Sequence, residues 1–288
     1  MPLSKILTVV FWMTGALVSF SATAVAVRGL SPAFSVFEIL SIRNAVGLAM
    51  LLALALVKSK LRANLRPRRI KLHLLRNVLH FAGTDGWAYA LTILPLATVF
   101  ALEFTSPAWV ALLAVPFLKE ALTRGRLVAI VAGFAGVLII LLPGMDAFQP
   151  ASFLVLAVAF AFALVAIVTK RLTMTESTFS IVLMMNVIQL PLNLLGVSGA
   201  FWNRIDGSHA LAIAGVSLGG LLSHYCLTNA YRHGDASMVV PLDFLRIPLI
   251  AIVGWRLYGE ALDPYVFVGS ACIVAGLIYS LRREARNP

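Results

Sequence analysis

The chain is a series of apolar stretches of roughly 20 residues separated by short polar segments. A helix of about 20 residues crosses a ~30 Å hydrocarbon core at 1.5 Å per residue. The stretches are continuously apolar, without the alternation of a β-barrel wall. We therefore predict an all-α integral membrane protein with ten transmembrane helices, at residues 6–27, 34–57, 74–93, 96–118, 126–142, 151–169, 178–198, 210–230, 237–257 and 264–281.

Composition and charge agree with this interpretation. Hydrophobic residues make up 60% of the 288 residues and charged residues 12%, which leaves too little polar surface for a soluble globule. The apolar run after Lys5 leads into no signal-peptide cleavage site, so we interpret it as the first helix.

The net charge of +11 comes mainly from basic residues that flank the apolar stretches. An excess of Lys and Arg marks the cytoplasmic side of a membrane protein. If the N-terminus is cytoplasmic, 17 basic residues fall inside, including the cluster at 58–71, and only Arg28, Arg204 and Arg256 fall outside. We expect a multi-pass protein of the cell inner membrane with both termini in the cytoplasm. The bilayer is then its partner, and nucleic acid is not.

The sequence also contains an internal repeat. Residues 90–141 align with 230–281 at a constant offset of 140, and 12 of the 52 aligned positions are identical. Five helices per half is an odd number, so the second half must cross the membrane with the opposite polarity. Inverted repeats are typical of carriers, whose substrate site lies near the midplane between the halves. We predict a first repeat at 1–142 and a second, inverted repeat at 143–288.

Short motifs are spread over nearly the whole chain. They are Phe37-Glu38 followed by Arg43, His73-Leu74-Leu75-Arg76, Trp87-Ala88-Tyr89, Phe104-Thr105-Ser106-Pro107, Glu120-Ala121-Leu122-Thr123, Gly133-Phe134-Ala135-Gly136 and Tyr258-Gly259-Glu260. In this combination the sequence resembles the EamA-type family of the drug/metabolite transporter superfamily. The resemblance implies a ten-helix carrier that moves small metabolites, most often outward. The motifs look like those of S-adenosylmethionine and riboflavin uptake carriers, and they are also compatible with exporters of amino-acid-derived metallophores.

Several charged residues fall within the predicted helices. On insertion scales each would cost about 2.5–3.5 kcal/mol at the bilayer centre, so we expect these side chains to face the bundle interior and to find partners there. They are Glu38, Arg43, Asp85, Glu103, Asp243 and Arg246.

Glu103 and Asp243 occupy the same position of the two repeats. Either they share a structural role, or they take up and release a proton during transport, because low dielectric favours the neutral form of an acid. Asp243 and Arg246 are three residues apart and therefore lie within pairing reach on one helix face. This pair is either a structural ion pair within one helix or part of a substrate site.

Arg43 has no counterpart in the second half, where the matching region reads Met185-Asn186. Its guanidinium either holds a carboxylate or phosphate of a substrate or neutralises Asp85 or Glu103 across the bundle.

A second group of candidates lies around Asp85 and Trp87, and the offset of 140 brings His224 and Tyr225 to the same level. A substrate amine or sulfonium could lie against Asp85 with an aromatic face from Trp87 or Tyr225, unless these rings are ordinary core. His224 is a candidate for coupling or gating, and we interpret His80 as a packing residue.

Four further residues are expected to be structural. Glu120 and Glu260 close repeat-equivalent helices, and we expect their carboxylates to accept hydrogen bonds from the start of the next helix. Pro107 and Pro248 should bend the equivalent helices, either as hinges or as static kinks.

These features together predict a secondary carrier in which Arg43, Asp85, Glu103, Asp243 and Arg246 line a polar midplane cavity for a small zwitterion. Our leading hypothesis is export of an amino-acid-derived compound or metallophore. The alternative is uptake of S-adenosylmethionine or riboflavin, and a remote alternative is an intramembrane enzyme. The sequence holds no nucleophile-base set, ATP-binding motif or metal-binding motif. We therefore expect a non-enzyme with neither cofactor nor metal, and a homodimer stays open.

Overall fold

A computed structural model of the chain describes residues 3–94, 96–141, 150–197, 199–259 and 264–286. These residues form α-helices joined by short turns and 3₁₀ segments, without a β-strand among them. The 3₁₀ segments are Ala63–Leu65, Phe201–Arg204, Gly207–His209 and Val240–Leu245. The helices are α1 (Leu3–Leu30), α2 (Val36–Val57), α3 (Ser59–Arg62), α4 (Ile70–Ile93), α5 (Leu96–Glu103), α6 (Ser106–Leu118), α7 (Arg124–Leu141), α8 (Ser152–Thr173), α9 (Thr178–Leu194), α10 (Ala210–His233), α11 (Ala236–Val239), α12 (Arg246–Tyr258) and α13 (Pro264–Arg286).

Within the described ranges, six helical stretches are long and apolar enough to cross a membrane. They are Leu3–Leu30, Val36–Val57, Ser152–Thr173, Gly207–His233, Ala236–Tyr258 and Pro264–Arg286. The prediction of an all-α membrane protein is therefore confirmed. Each of the ten predicted stretches coincides with helix in the structure, but the crossing of the bilayer by all ten stays a prediction.

Two of the predicted helices are interrupted. The stretch 96–118 forms α5 and α6 with a break between Glu103 and Ser106, and the 3₁₀ segment Val240–Leu245 separates α11 from α12. Pro107 lies in the first turn of α6 and Pro241 in the first turn of the 3₁₀ segment. Proline lacks a backbone N–H and fits a helix start better than a helix interior. At the offset of 140 the break at residues 104–105 corresponds to residues 244–245 at the end of the 3₁₀ segment, so the two interruptions overlap in the repeat.

Helix packing follows the repeat. Extensive contacts join α1 to α10, α4 to α8, α2 to α9 and α7 to α13. In repeat order α1, α2, α4 and α7 correspond to α8, α9, α10 and α13. When each helix is replaced by its counterpart in the other half, the α1–α10 contact becomes the α8–α4 contact, and the α2–α9 and α7–α13 contacts stay the same. A two-fold axis between the halves has this effect.

Residues at equivalent positions also touch each other. The Phe104 and Phe244 rings stack with centroids 5.6 Å apart, and Cys272 Sγ lies 3.4 Å from the Ala132 carbonyl oxygen. Both pairs are separated by 140 positions. Equivalent residues meet only near a two-fold axis, so these contacts support the predicted repeat. Inversion across a membrane stays a prediction, and the predicted boundary at 142/143 lies outside the described residues.

Glycines bring α7 and α13 into close contact. A Cβ atom on Gly136 would lie 2.5 Å from the Gly269 carbonyl oxygen, and one on Gly269 would lie 2.4 Å from the Gly136 carbonyl oxygen. Small residues allow this backbone approach, which is a common way of packing helices in membranes.

Candidate functional site

A cavity of about 320 Å³ lies between the two halves. Its wall includes residues of α1, α2, α4, α5, α6, α8, α9 and α10, together with the Val240–Leu245 segment and the start of α12. Charged and aromatic side chains are both present. The charged ones are Arg43, Arg76, Glu103, Asp243 and Arg246, and the phenyl, phenol and indole rings are Phe20, Phe81, Trp87, Phe104, Phe162 and Tyr231.

The wall residues of α4 form one stripe along that helix. They are Arg76, His80, Thr84 and Trp87, with Phe81 beside them. The spacing of four, four and three residues keeps these side chains on one helix face. Neither Arg76 nor His80 was predicted as a site residue, although this polar periodicity in an apolar helix was a signal for both.

The repeat-equivalent acids converge on one guanidinium. Arg246 Nη2 lies 3.2 Å from Glu103 Oε1 and 3.0 Å from Asp243 Oδ2. Glu103 also accepts a hydrogen bond of 2.8 Å from the Trp87 indole N–H. The predicted pairing of Asp243 with Arg246 is confirmed. It is not confined to one helix, however, because Glu103 of the first half shares the same cation.

Arg43 lies on the same cavity wall with weak, neutral partners. Its Nη2 is 3.5 Å from the side-chain oxygens of Asn44 and Gln189, which is beyond the usual N–H···O range. Its Nε is buried without a hydrogen-bond partner. The structure does not pair Arg43 with Asp85 or Glu103, so the neutralising role left open by the sequence is not observed.

Arg76 is a second cation with neutral partners. It is 3% exposed, and it donates hydrogen bonds of 2.9 Å from Nε to Thr169 Oγ1 and from Nη1 to Asn77 Oδ1. Among the described residues no carboxylate oxygen lies within 4.0 Å of the Arg43 or Arg76 guanidinium.

Amide and imidazole groups connect the two arginines. Gln189 Nε2 donates to Asn77 Oδ1 at 3.3 Å and lies 2.9 Å from His80 Nδ1. The His80 and His224 rings pack edge to face with centroids 5.5 Å apart. His80 is therefore part of a polar cluster on the cavity wall rather than a residue of a purely apolar core. The amide of Gln189 was not predicted as part of the site.

Asp85 and Tyr225 do not lie on the wall of this cavity. Asp85 is exposed and borders a separate recess of about 20 Å³, while Tyr225 is 40% exposed and packs against Trp12. The reason is helix geometry, since one residue turns a side chain by about 100° and the cavity takes Thr84 and His224 instead. The expectation that Asp85 lines the central cavity is not met.

The structure describes three of the four residues that were predicted to have structural roles. Glu120 accepts hydrogen bonds from the backbone N–H groups of Ala236 at 2.8 Å and Ser237 at 3.0 Å. Its partner is thus the start of α11 in the other half and not the next helix in the chain. Pro107 lines the cavity and Pro248 lies in α12, away from the cavity wall. Glu260 lies outside the described residues.

Comparison with known proteins agrees with this architecture. The profile of the EamA-like transporter family matches residues 7–142 and, a second time, residues 149–282. The chain belongs to the EamA-like transporter family. The motif resemblance is therefore confirmed, and this EamA-family chain is a transmembrane transporter of a small molecule.

Several relatives of this EamA-family chain have assigned substrates. A riboflavin transporter of Brucella anthropi is 34% identical over 83% of this chain and 86% of its own. A riboflavin transporter of Rhizobium johnstonii is 31% identical over 96% of this chain and 91% of its own. An S-adenosylmethionine uptake transporter of Rickettsia felis is 27% identical over 99% of this chain and 96% of its own.

One solved crystal structure superposes on 98% of this chain and 99% of its own with a TM-score of 0.80 at 19% identity. This likeness shows the fold alone.

Proposed function

We propose that this EamA-family chain is a secondary transporter that carries a small polar metabolite with an aromatic or heteroaromatic ring through the central cavity. The observation that carries the proposal is a cavity with both charged and aromatic walls at the contact between two repeat-related halves. Charged side chains inside a membrane protein face the bundle interior or a water-filled path and mark a substrate pathway. Carriers built from inverted repeats bind their substrates at this place and open it alternately to either side.

The first substrate candidates are riboflavin and S-adenosylmethionine, the compounds that the similar transporters are named for. Both contain a flat heteroaromatic ring system, and rings pack favourably against aromatic faces and edges. Phe81, Trp87 and Phe162 supply such surfaces on the cavity wall. We propose that both termini lie in the cytoplasm, as the positive charges indicate. The direction proposed for either compound is uptake into the cell.

A second candidate function is export of an amino-acid-derived zwitterion. The wall carries carboxylates and guanidinium groups together, and this combination suits a ligand with an amine and a carboxylate. Export and uptake use the same cavity, so the direction has to be measured in vesicles of known orientation.

Proton coupling through Glu103 and Asp243 stays a hypothesis. Both carboxylates contact Arg246, so protonation of either acid would exchange its ion pair with the guanidinium for a weaker contact. Such an exchange would link protonation to a change of contacts between the halves. Uptake into proteoliposomes should then fall when the pH gradient is collapsed, and unchanged uptake would contradict coupling.

Counterflow in proteoliposomes tests the proposed function. Purified protein is reconstituted, the vesicles are loaded with unlabelled riboflavin or S-adenosylmethionine, and entry of the labelled compound is followed. We expect saturable entry that the loaded compound accelerates, and none in protein-free liposomes. Entry that rises linearly with concentration would indicate a channel, and the absence of exchange for both compounds would contradict the heteroaromatic substrate class.

A further inference from the structure

We infer that the substrate presents an anionic group, a carboxylate or a phosphate, to Arg43 and Arg76 on the cavity wall. This inference rests on the proposed function and gives it a charge requirement. It depends on three features of the described residues: the two guanidinium groups lack acidic partners, their stems and amide neighbours hold them in place, and the charges of the cavity wall do not balance.

Arg43 is held in place by packing rather than by an ion pair. Its aliphatic stem lies against Gly220 of α10, where a Cβ atom would be 2.6 Å from Arg43 Cδ. The absence of a side chain at Gly220 thus makes room for the arginine. The guanidinium has an unpartnered, buried Nε and reaches only neutral amide oxygens at 3.5 Å. A guanidinium carries its N–H donors in a fork that fits a carboxylate or phosphate, and the Nη groups of Arg43 form no polar contact with a described residue shorter than 3.5 Å that would compete with such a ligand.

Arg76 belongs to the same polar cluster. Gln189 contacts Arg43, and it also donates to Asn77, which accepts from Arg76. The two arginines are thus connected through two amide side chains on α9 and α4. The Arg76 bonds go to a threonine hydroxyl and an amide oxygen, which position the guanidinium without neutralising it.

The charges on the cavity wall leave an excess of positive charge. Arg246 binds the two carboxylates, Glu103 and Asp243. Arg43 and Arg76 add two further positive charges, so with neutral histidines the wall carries three guanidinium groups against two carboxylates. Cations buried in a membrane protein are normally paired. A monoanionic substrate would balance the wall, whereas S-adenosylmethionine, whose ammonium and sulfonium outnumber its carboxylate, would add to the excess.

An aromatic surface lies on the wall of the same cavity as the arginines. The Phe162 ring packs against Gly83 of α4, where a Cβ atom would be 2.8 Å from Phe162 Cε1. It also lies 6.2 Å from the His80 ring, centroid to centroid. A substrate could therefore place its anionic group on Arg43 and Arg76 and its ring against Phe162.

Thermal unfolding of the purified full chain with matched ligand pairs tests this inference. The pairs are riboflavin and riboflavin 5′-phosphate, nicotinamide and nicotinate, and S-adenosylmethionine and S-adenosylhomocysteine. The protein is kept in neutral detergent without anionic lipid, so that a lipid headgroup does not occupy the site. We expect the more negative member of at least one pair to raise the unfolding midpoint more and to bind about tenfold more tightly.

Substitutions test whether the preference for the anionic compound comes from Arg43 and Arg76. The preference for the anion should disappear in Arg43→Gln and in Arg76→Gln, persist in part in Arg43→Lys, and remain whole in Arg66→Gln, which alters an exposed arginine that is not part of the cavity wall. Gly220→Ala displaces Arg43 without removing it and serves if the Gln variants do not fold. The inference is overturned if no anionic compound stabilises the unchanged protein, if the less negative member binds as well in every pair, or if the preference survives in both Gln variants.

Counterflow separates this inference from the proposed function. A compound that binds with the expected charge preference but shows no saturable exchange contradicts the transport proposal and leaves the anion site intact. Saturable exchange of a neutral or cationic compound that is unchanged in Arg43→Gln and Arg76→Gln contradicts the anion site and leaves the transport proposal intact.

Discussion

Arg246 holds together two acids that come from different halves of the chain. Its Nη2 contacts both Glu103 and Asp243, and its guanidinium lies 5.2 Å from the centre of the Phe104 ring. Like charges repel strongly at short distance in a medium of low dielectric, so the two carboxylates tolerate each other because the cation lies between them.

We predict that Arg246→Met lowers the free energy of unfolding by about 3 kcal/mol, because it leaves two carboxylates without their cation. This value is at the low end for a broken buried pair, since the Arg246 side chain is 32% exposed. The triple variant Glu103→Gln, Asp243→Asn, Arg246→Met should recover most of the loss. Chemical unfolding in detergent measures both effects, and an Arg246→Met protein as stable as the parent would contradict the assigned contacts.

Gly220 provides a matched test of Arg43. A methyl group at this position would lie 2.6 Å from Arg43 Cδ and 3.1 Å from Arg43 Cγ, so the arginine side chain, rather than a helix backbone, has to move. We predict that Gly220→Ala changes the unfolding midpoint little but weakens binding of the anionic compound about tenfold, a loss of ~1.4 kcal/mol. The control is Gly207→Ala, where a Cβ atom meets nothing within 4 Å. Equal binding by the two variants would show that Arg43 does not contact the ligand.

At the scale of elements, the sequence predicts where the helices lie better than it predicts which side chains of a helix face the cavity. Bilayer thickness imposes a common apolar length, and this explains why each predicted stretch coincides with helix. The direction of one side chain within a helix depends on its neighbours in three dimensions. Asp85 was therefore expected in the cavity although its neighbour Thr84 is the residue that lines it. The polar stripe of α4 could have been found from its spacing.

The helix ends show a second limit of local reasoning. Glu120 was expected to accept hydrogen bonds from a helix start, which it does, but the helix belongs to the other half of the chain. Sequence position favours the adjacent helix α7 as the partner. Which helix start comes within reach is decided by packing between the halves, and a single sequence does not contain this information in local form.

Loss of the Glu120 carboxylate should loosen the start of α11. We predict that Glu120→Ala speeds backbone amide exchange in residues 236–245 and costs about 1–3 kcal/mol, because two buried N–H groups lose their acceptor. Glu120→Gln should have an intermediate effect, since one side-chain oxygen remains. Hydrogen–deuterium exchange with mass spectrometry measures this, with α2 as the internal reference. Unchanged exchange in 236–245 would contradict the contact.

A larger side chain at the contact between α7 and α13 should lower the free energy of unfolding. We predict that Gly136→Val lowers the free energy of unfolding by at least about 2 kcal/mol, because the new atoms would meet the backbone of Gly269 and force the helices apart. Gly207→Val is the matched control at a position with open space. Similar unfolding curves for the two variants would mean that the close approach of α7 and α13 is absent.

At the scale of the whole molecule, ion pairs join the two halves beside one end of the helix bundle. Near the C-terminal end of the chain, Arg126 of α7 contacts Asp235 at 2.6 Å and Glu284 of α13 at 3.0 Å. Opening toward the cytoplasm, under the orientation that we propose, requires that some of these contacts break. The repeat then offers an equivalent movement at the opposite side.

The central claim is that the substrate passes through the cavity between the halves. Its most direct test is counterflow of labelled riboflavin, riboflavin 5′-phosphate and S-adenosylmethionine in proteoliposomes that contain the unchanged protein, Ser106→Trp or Ser59→Trp. Ser106 lines the cavity and Ser59 is exposed outside it. We expect saturable exchange of at least one compound by the unchanged protein and by Ser59→Trp, and a loss of about tenfold or more when an indole fills the cavity in Ser106→Trp. Undiminished exchange by a folded Ser106→Trp protein would contradict the account.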